Sequence, residues 1–367
     1  MLTRKSKWLQ PLLVPAGFLF RTVVGLRNLL FDYKWIESKS FRIPLISVGN
    51  ITVGGTGKTP MIEYLASLLL SRYQVAVLSR GYKRKSSGFL LAAPDSSVST
   101  VGDESRQLKL KFPQLTVAVD ANRVRGIQLL KENHPALQVV LLDDAFQHRY
   151  VAPGLNILLV DYNRPPCFDS MLPAGDLREP PSSMDRADMV VVTKAPPTIS
   201  PMDQRIFTRN LNLYPYQSIF FSKLEYGELK PVFENNGQAV TTGCPPERSQ
   251  KALLISGIAS PAPFETKMAE MMPILACKRY PDHYAFQDSD ISELESMIPE
   301  PDQENTLFVT TEKDAVRLAE LKHCISRQEN WFYLPVRVVF IGDGESRFHK
   351  EVLKYVASNR RNSILHR

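Results

Sequence analysis

Apolar positions in this chain recur as short, nearly continuous runs, each separated from the next by a stretch of helical spacing. FRIPLISV (41–48) leads through a glycine-rich loop into KTPMIEYLASLLLSRY (58–73), and QVAVLS (74–79), LTVAVD (115–120), QVVLLDD (138–144), NILLVD (156–161) and MVVVTK (189–194) follow. Runs of this kind, apolar on consecutive positions rather than alternate ones, predict strands buried on both faces. A parallel sheet covered by helices on each side is therefore expected. Further along, QSIFFSKLEY (217–226), ALLISG (252–257), TLFVTTEKDAVRL (306–318) and WFYLPVRVVFI (331–341) also read as strands, two of them running into turns or helices.

Length changes the picture. At 367 residues the chain exceeds one comfortable core and predicts two domains. The boundaries read as an N-terminal helix over 1–40, a first α/β domain over 41–212 and a strand region over 213–243. A second α/β domain over 244–330 is followed by a return strand and C-terminal helix over 331–367. The four cysteines, Cys167, Cys244, Cys277 and Cys324, are scattered without a C-x-x-C. Neither a zinc site nor a disulfide framework is expected, and a reducing compartment fits.

The formal charge of +7 is uneven: residues 1–42 carry eight basic and two acidic side chains, a net +6. A nucleic-acid protein would spread basic residues over its folded domain, so no nucleic-acid partner is expected. Here they flank WLQPLLVPAGFLF (8–20), an uncharged run of about 20 Å as a helix, short of the roughly 30 Å of a hydrocarbon core. From Ala16 to Ile36 helical spacing sets Arg21, Gly25, Asn28 and Asp32 on one stripe and Leu19, Val23, Leu26 and Leu30 on another. Such a helix either packs on the domain it precedes or lies in a membrane interface, drawn to anionic lipid. No clean cleavage site marks it as a signal peptide.

The candidate chemistry begins at SVGNITVGGTGKTP (47–60). Gly57, Lys58 and Thr59 fit the phosphate-loop pattern, whereas Thr52 stands where its leading glycine is usual. The segment follows a strand and opens a helix, as such a loop must. Gly54, Gly55 and Gly57 let backbone amides converge on phosphate, with Val53 and Thr56 in the same bend. Lys58 can reach terminal phosphates and Thr59 can ligate magnesium. Asp143 and Asp144 end an apolar strand where a carboxylate holds or orients the magnesium shell; paired acids also simply end strands or cap helices, and the upstream loop weighs for the metal.

GNITVGGTGKTP, SRGYKRK, VGDES, LLDDAFQHR, MLPAGDLREP and VVVTK occur in that order, followed by ISGIASPAPFE, YPDHYAF and VTTEKDAVRL. Together these motifs, over nearly the whole chain, resemble the tetraacyldisaccharide 4'-kinase family. The resemblance implies transfer of the ATP γ-phosphate to the 4'-hydroxyl of an acylated glucosamine disaccharide 1-phosphate, giving lipid IVA in lipid A biosynthesis. It implies magnesium, a hydrophobic N-terminal helix, and action at the cytoplasmic face of the inner membrane as a peripheral or monotopic protein. It also implies a phosphate-loop fold with two α/β domains joined by a two-stranded linker, for which 217–226 and 331–341 are the candidates. A monomer is expected. A soluble phosphate-loop enzyme acting on a small metabolite, and a membrane-associated nucleotide-binding adaptor, are the alternatives.

The same resemblance makes Asp103 the catalytic acidic residue that deprotonates the hydroxyl, helped by a histidine corresponding to His283. Without the resemblance Asp103 reads as a turn or helix cap and His283 as a partly exposed loop histidine, and His148 in FQHR competes as the helper. Arg123 and Arg125 are candidate phosphate donors or solvated helix residues, and Gln147 a nucleotide contact. Glu179 belongs to the magnesium shell by resemblance, or to a surface ion pair. Lys313 either sits in a capping cluster or meets substrate phosphate. The chain departs from the family pattern at Ala145, where glycine is usual, and at Ser105, where proline is usual. Tyr284 stands where a second histidine often follows His283.

Overall fold

The runs read as strands fall into two sheets in the computed structural model of the protein, which describes residues 10–233, 250–299 and 305–365. The chain lays down β1 (Leu45–Gly49), β2 (Val75–Ser79), β3 (Leu90–Leu91), β4 (Thr116–Val119), β5 (Val139–Asp143), β6 (Leu155–Asp161), β7 (Met189–Thr193) and β8 (Ser218–Tyr226) in the first sheet. It then crosses to β9 (Lys230–Pro231), β10 (Lys251–Ser256), β11 (Ile274–Arg279), β12 (Thr306–Thr311) and β13 (Trp331–Leu334) in the second, and returns as β14 (Val336–Phe340). The first sheet is ordered β14-β8-β7-β6-β1-β5-β2-β4-β3 and the second β11-β10-β12-β13-β9. From β8 to β4 every pairing in the first sheet is parallel; β14 and β3 close its edges antiparallel. Every residue of β1, β2 and β5 is buried, which is why their sequences are apolar without alternation.

The helices are α1 (Gln10–Asp32), α2 (Lys58–Leu70), α3 (Val98–Val101), α4 (Asp103–Lys111), α5 (Arg123–Asn133), α6 (Pro201–Leu211), α7 (Ala262–Met271), α8 (Asp288–Ser296), α9 (Glu312–Leu318) and α10 (Gly344–Leu365). The last returns to the first sheet: Phe348, Val352 and Val356 enter its core, and Tyr355 Oη bonds both the amide and the carbonyl of Leu45.

Two expectations change. The run 331–341 is not one strand. Pro335 has no N–H to extend a ladder, so the chain leaves the second sheet after Leu334 and enters the first at Val336. Nor is 217–226 merely a connector, because β8 pairs parallel with β7 as a full member of the first sheet. The crossing between sheets is made by β8–β9 against β13–β14, an antiparallel ribbon pinned by Gly227 N–H to the Pro335 carbonyl. Residues 234–249, with Cys244, lie outside the described residues; Cys167, Cys277 and Cys324 are free.

Helix α1 is longer than the uncharged run that announced it, and one of its faces bears out the packed reading of that segment. One face docks on the first domain. Phe20 and Val24 pack against its core, Phe31 is buried against Tyr150, and Arg27 donates to the Gln147 carbonyl. Arg149 bonds the Asn28 carbonyl and the Asp32 carboxylate. The opposite face leaves Phe18 at 70%, Leu19 at 65%, Val23 at 59% and Leu26 at 60% exposure. By length and composition alone the stretch Leu13–Asp32 is apolar enough to cross a membrane. Arg4, Lys5 and Lys7 lie outside the described residues.

Candidate active site

Parallel strands bring their C-terminal ends to one edge of the sheet, and ligands of such sheets bind there. The glycine loop leaves β1 on that edge. Its two positive-φ positions, Gly54 (φ 96°) and Gly57 (φ 85°), are both glycine. Thr52 is not such a position. It forms a bridge with Leu177, and Val53 N–H donates to the Asp176 carbonyl, so the missing glycine costs the loop nothing. Thr56 is fully buried beneath the bend. Its hydroxyl accepts from Asn50 Nδ2 at 2.8 Å and its carbonyl accepts from the Thr193 hydroxyl at 2.9 Å. Gly57 caps α2, which places Lys58 and Thr59 in the first helical turn.

Lys58 Nζ lies 3.6 Å from Asp144 Oδ1 and 3.4 Å from Asn50 Oδ1. Arg178 grips the same carboxylate with both terminal nitrogens, at 3.0 and 3.2 Å, and also reaches the side chain of Asn50. Burial pushes the Asp144 carboxyl up, but the Lys58 ammonium and the Arg178 guanidinium outweigh it and bring it down to about 2. Its neighbour behaves oppositely. Asp143 is pushed up to about 7, first by burial and then by the charges of Glu104 and Asp144. Two adjacent carboxylates thus differ because only one faces cations closely.

Asp143 Oδ1 and Glu179 Oε1 are buried oxygens that accept no hydrogen bond from the protein among the described residues. The other Glu179 oxygen is paired with Arg186, whose guanidinium stacks 4.4 Å over Phe146. Unpaired anionic oxygens of this kind suit a hard divalent cation, so the residues present fit magnesium.

Several expected nucleotide contacts also brace the protein. Arg123 is buried and donates to the carbonyls of Asp120 and Asp143 at 2.8 and 3.0 Å. Through these two bonds it props the end of β5 from behind. Arg125 is spent on Asp120. Gln147 Nε2 donates to the Asn50 carbonyl at 2.8 Å, while its own carbonyl receives Arg27, tying α1 to the glycine loop. His148 is half-buried and pushed down to about 4 by burial, with Arg123, Arg27 and Arg80 adding to the effect.

The histidine that meets Asp103 is His283. Asp103 opens α4 behind Gly102 (φ 87°), and its Oδ1 accepts the Glu104 amide, the local bond of a helix start. Its Oδ2 lies 2.8 Å from His283 Nδ1 and 3.3 Å from Arg317. Burial works against the charge, yet the His283 hydrogen bond and the cations of Lys313 and Arg317 hold this carboxyl well below the usual range. His283 adopts φ 57°, a left-handed backbone that a non-glycine residue takes up only where its surroundings enforce it. Its N–H bonds the Gly257 carbonyl and its ring meets Tyr82 edge-on at 5.0 Å. Tyr284, where a second histidine might stand, packs on Tyr280.

Asn50, Arg178 and Lys194 carry more of the site than sequence reasoning assigned. Lys194 bonds the Gly55 carbonyl and Asp161, and its sequence signals are its place after an apolar strand and at the end of VVVTK. Asn50 has a similar signal, standing between β1 and the glycines.

A lysine and a helix start facing paired carboxylates, on the C-terminal edge of a parallel sheet, define the phosphate-loop phosphotransferases. The chain belongs within that class to the tetraacyldisaccharide-1-P 4'-kinase family, whose profile matches residues 9–357. It is 46% identical over 365 residues to the tetraacyldisaccharide 4'-kinase of Phocaeicola vulgatus, covering 99% of this chain and 98% of that one. It is likewise 46% identical over 359 residues to that of Porphyromonas gingivalis, covering 95% and 97%. The crystal structure of "apo" form LpxK from Aquifex aeolicus in complex with ATP is similar with a TM-score of 0.73 and 29% identity, over 95% of this chain and 99% of that one.

Proposed function

We propose that this chain binds ATP in the bend over residues 52–59 and transfers its γ-phosphate to the 4'-hydroxyl of tetraacyldisaccharide 1-phosphate, with lipid IVA as product. The observation that carries this reading is a contiguity. The glycine loop, the Asp143–Asp144 pair and the Asp103–His283 pair adjoin one another, with Glu104 close enough to both pairs to bond Lys313 beside one and raise the other.

Of the bend's backbone amides, those of Gly54, Gly55, Gly57, Lys58 and Thr59 are the ones open to the phosphates, since Val53 and Thr56 donate within the protein, and Lys58 needs only to leave Asp144 to reach them. Thr59, Asp143, Asp144 and Glu179 would hold magnesium, which when bound neutralises charge on the transferring group. Asp143 suits direct ligation better than Asp144, whose oxygens are already shared by Lys58 and Arg178. The base is best read as His283 rather than Asp103. With Nδ1–H donating to the buried Asp103 carboxylate, Nε2 is left to accept the hydroxyl proton while Asp103 orients the ring.

The outward face of α1 supports attachment to a membrane surface, and the inner-membrane cytoplasmic leaflet is the site this reading assigns. A helix bonded along one side to a water-soluble domain lies in an interface more readily than it crosses one. Exposed Tyr33 and Trp35 follow it, aromatic side chains of the type that settles at headgroup level. The test is phosphate transfer from ATP to tetraacyldisaccharide 1-phosphate in detergent micelles, read by product mass. ATP binding without transfer to any acceptor in a panel would favour the adaptor, and transfer to water-soluble sugars alone would favour the small-metabolite kinase.

A further inference from the structure

We propose that Lys313 is a positioning residue that keeps His283 in the tautomer able to accept a proton. The inference rests on the reading of His283 as the base. Lys313, the second residue of α9, places Nζ 3.0 Å from His283 Nε2 and 3.3 Å from Glu104 Oε1, with Asp103 Oδ2 at 3.9 Å. An ammonium has only hydrogens to offer, so Nε2 must be the acceptor in that contact. The ring hydrogen is thereby placed on Nδ1, where it meets Asp103.

Charge points the same way. His283 is faced by Asp103 and Glu104 from α4 and by Asp282 from its own loop, whose Oδ1 is 3.9 Å from Nε2. Opposing them are Lys313 and Arg317 from α9, and Lys83, which bonds the Asp282 carbonyl; the Tyr82 ring is neutral. Arg317 is engaged by Asp314 and the Tyr284 carbonyl. An imidazolium has no lone pair for a substrate proton. Lys313 is the cation that touches the ring and offsets the carboxylates. A plain surface ion pair with Glu104 would explain only one of its three contacts, and would contribute little.

On substrate entry the sugar hydroxyl replaces the ammonium at Nε2, and Lys313 retires to Glu104. The hydroxyl proton passes to Nε2 as the sugar oxygen bonds phosphorus and the bond from phosphorus to the ADP oxygen breaks. The enzyme is neither oxidised nor reduced, and the proton leaves to water from His283.

The experiment uses the full chain in detergent micelles with ATP and magnesium, recording kcat/KM against pH for wild type, Lys313→Met, Lys313→Arg and His283→Gln. Ring-nitrogen NMR of the 15N-histidine-labelled wild type accompanies it. Lys313→Met should move the acidic limb upward and lose several-fold more activity at pH 5.5 than at pH 9, while Lys313→Arg keeps the wild-type limb. The wild-type ring should carry its hydrogen on Nδ1. Parallel profiles for Lys313→Met and wild type, or a wild-type ring protonated on Nε2 alone, overturn the proposal. If His283→Gln keeps its activity, the base reading itself fails; if that variant is inactive while the Lys313→Met profile stays parallel, only the role of Lys313 fails.

Discussion

His283 Nδ1 and Asp103 Oδ2 stand 2.8 Å apart although 180 positions separate the residues in sequence. One comes from the loop after β11, the other from the start of α4, so the pair exists only where the two sheets' helices meet. Lys111 of α4 secures the same seam, bonding Glu63 of α2 at 2.8 Å and Glu312 of α9 at 2.6 Å.

Removing either member of the pair should therefore stop chemistry without emptying the nucleotide site. Asp103→Asn and His283→Gln are each expected to lower kcat by about 10² to 10⁴. ATP affinity, measured by calorimetry, should stay within about threefold of wild type, because neither residue touches the glycine loop.

Lys58→Ala should behave differently. It removes the cation at the head of α2, and both ATP affinity and turnover should fall, turnover by about 10³. Arg178→Ala removes the bidentate partner of Asp144 and is expected to weaken ATP binding less than Lys58→Ala, since Lys58 remains. Equal losses of affinity in the two variants would contradict this division of roles.

The carboxylate pair makes stability depend on pH with two opposite signs. Asp143 titrates near 7 when folded against an ordinary 3.8. Between those values the folded state holds the extra proton, so this group's contribution to stability is full below about 4 and is lost as pH rises through 7. Asp144 is lowered to about 2, so its contribution is present above about 4 and is lost as pH falls toward 2. Thermal unfolding of the bare protein should show Tm falling from pH 5 to pH 8. Asp143→Asn should flatten that fall, and magnesium with ATP should raise Tm more at pH 8 than at pH 5.

The two faces of α1 should separate stability from attachment. Phe31→Ala, on the docked face, deletes a buried ring and should cost about 3 kcal/mol in denaturant unfolding. Leu19→Glu with Leu26→Glu, on the exposed face, should leave unfolding within about 0.5 kcal/mol per site and reduce co-sedimentation with vesicles of anionic phospholipid. Unchanged co-sedimentation would remove α1 as the anchor.

Much of this molecule was legible beforehand, for local reasons. Strands buried on both faces must be apolar at consecutive positions, so β1, β2, β5, β6 and β7 announced themselves. A loop receiving phosphate needs glycine at Gly54 and Gly57, a demand of backbone geometry visible in sequence. Pro335 was in plain view too, but its meaning depends on a second sheet beginning there. Thr52 was legible as a departure and only explicable once Leu177 lay beside it.

The sequence by itself determined the buried strands β1, β2, β4, β5, β6 and β7, the phosphate loop and the family, because each depends on spacing within a short stretch. Tertiary structure alone decided that Arg123 is a buried prop, that Asp143 and Asp144 titrate apart, and that His283 rather than His148 meets Asp103. Those outcomes depend on burial and on charges brought within a few ångströms by strands remote in sequence, and neither quantity exists until the chain is folded.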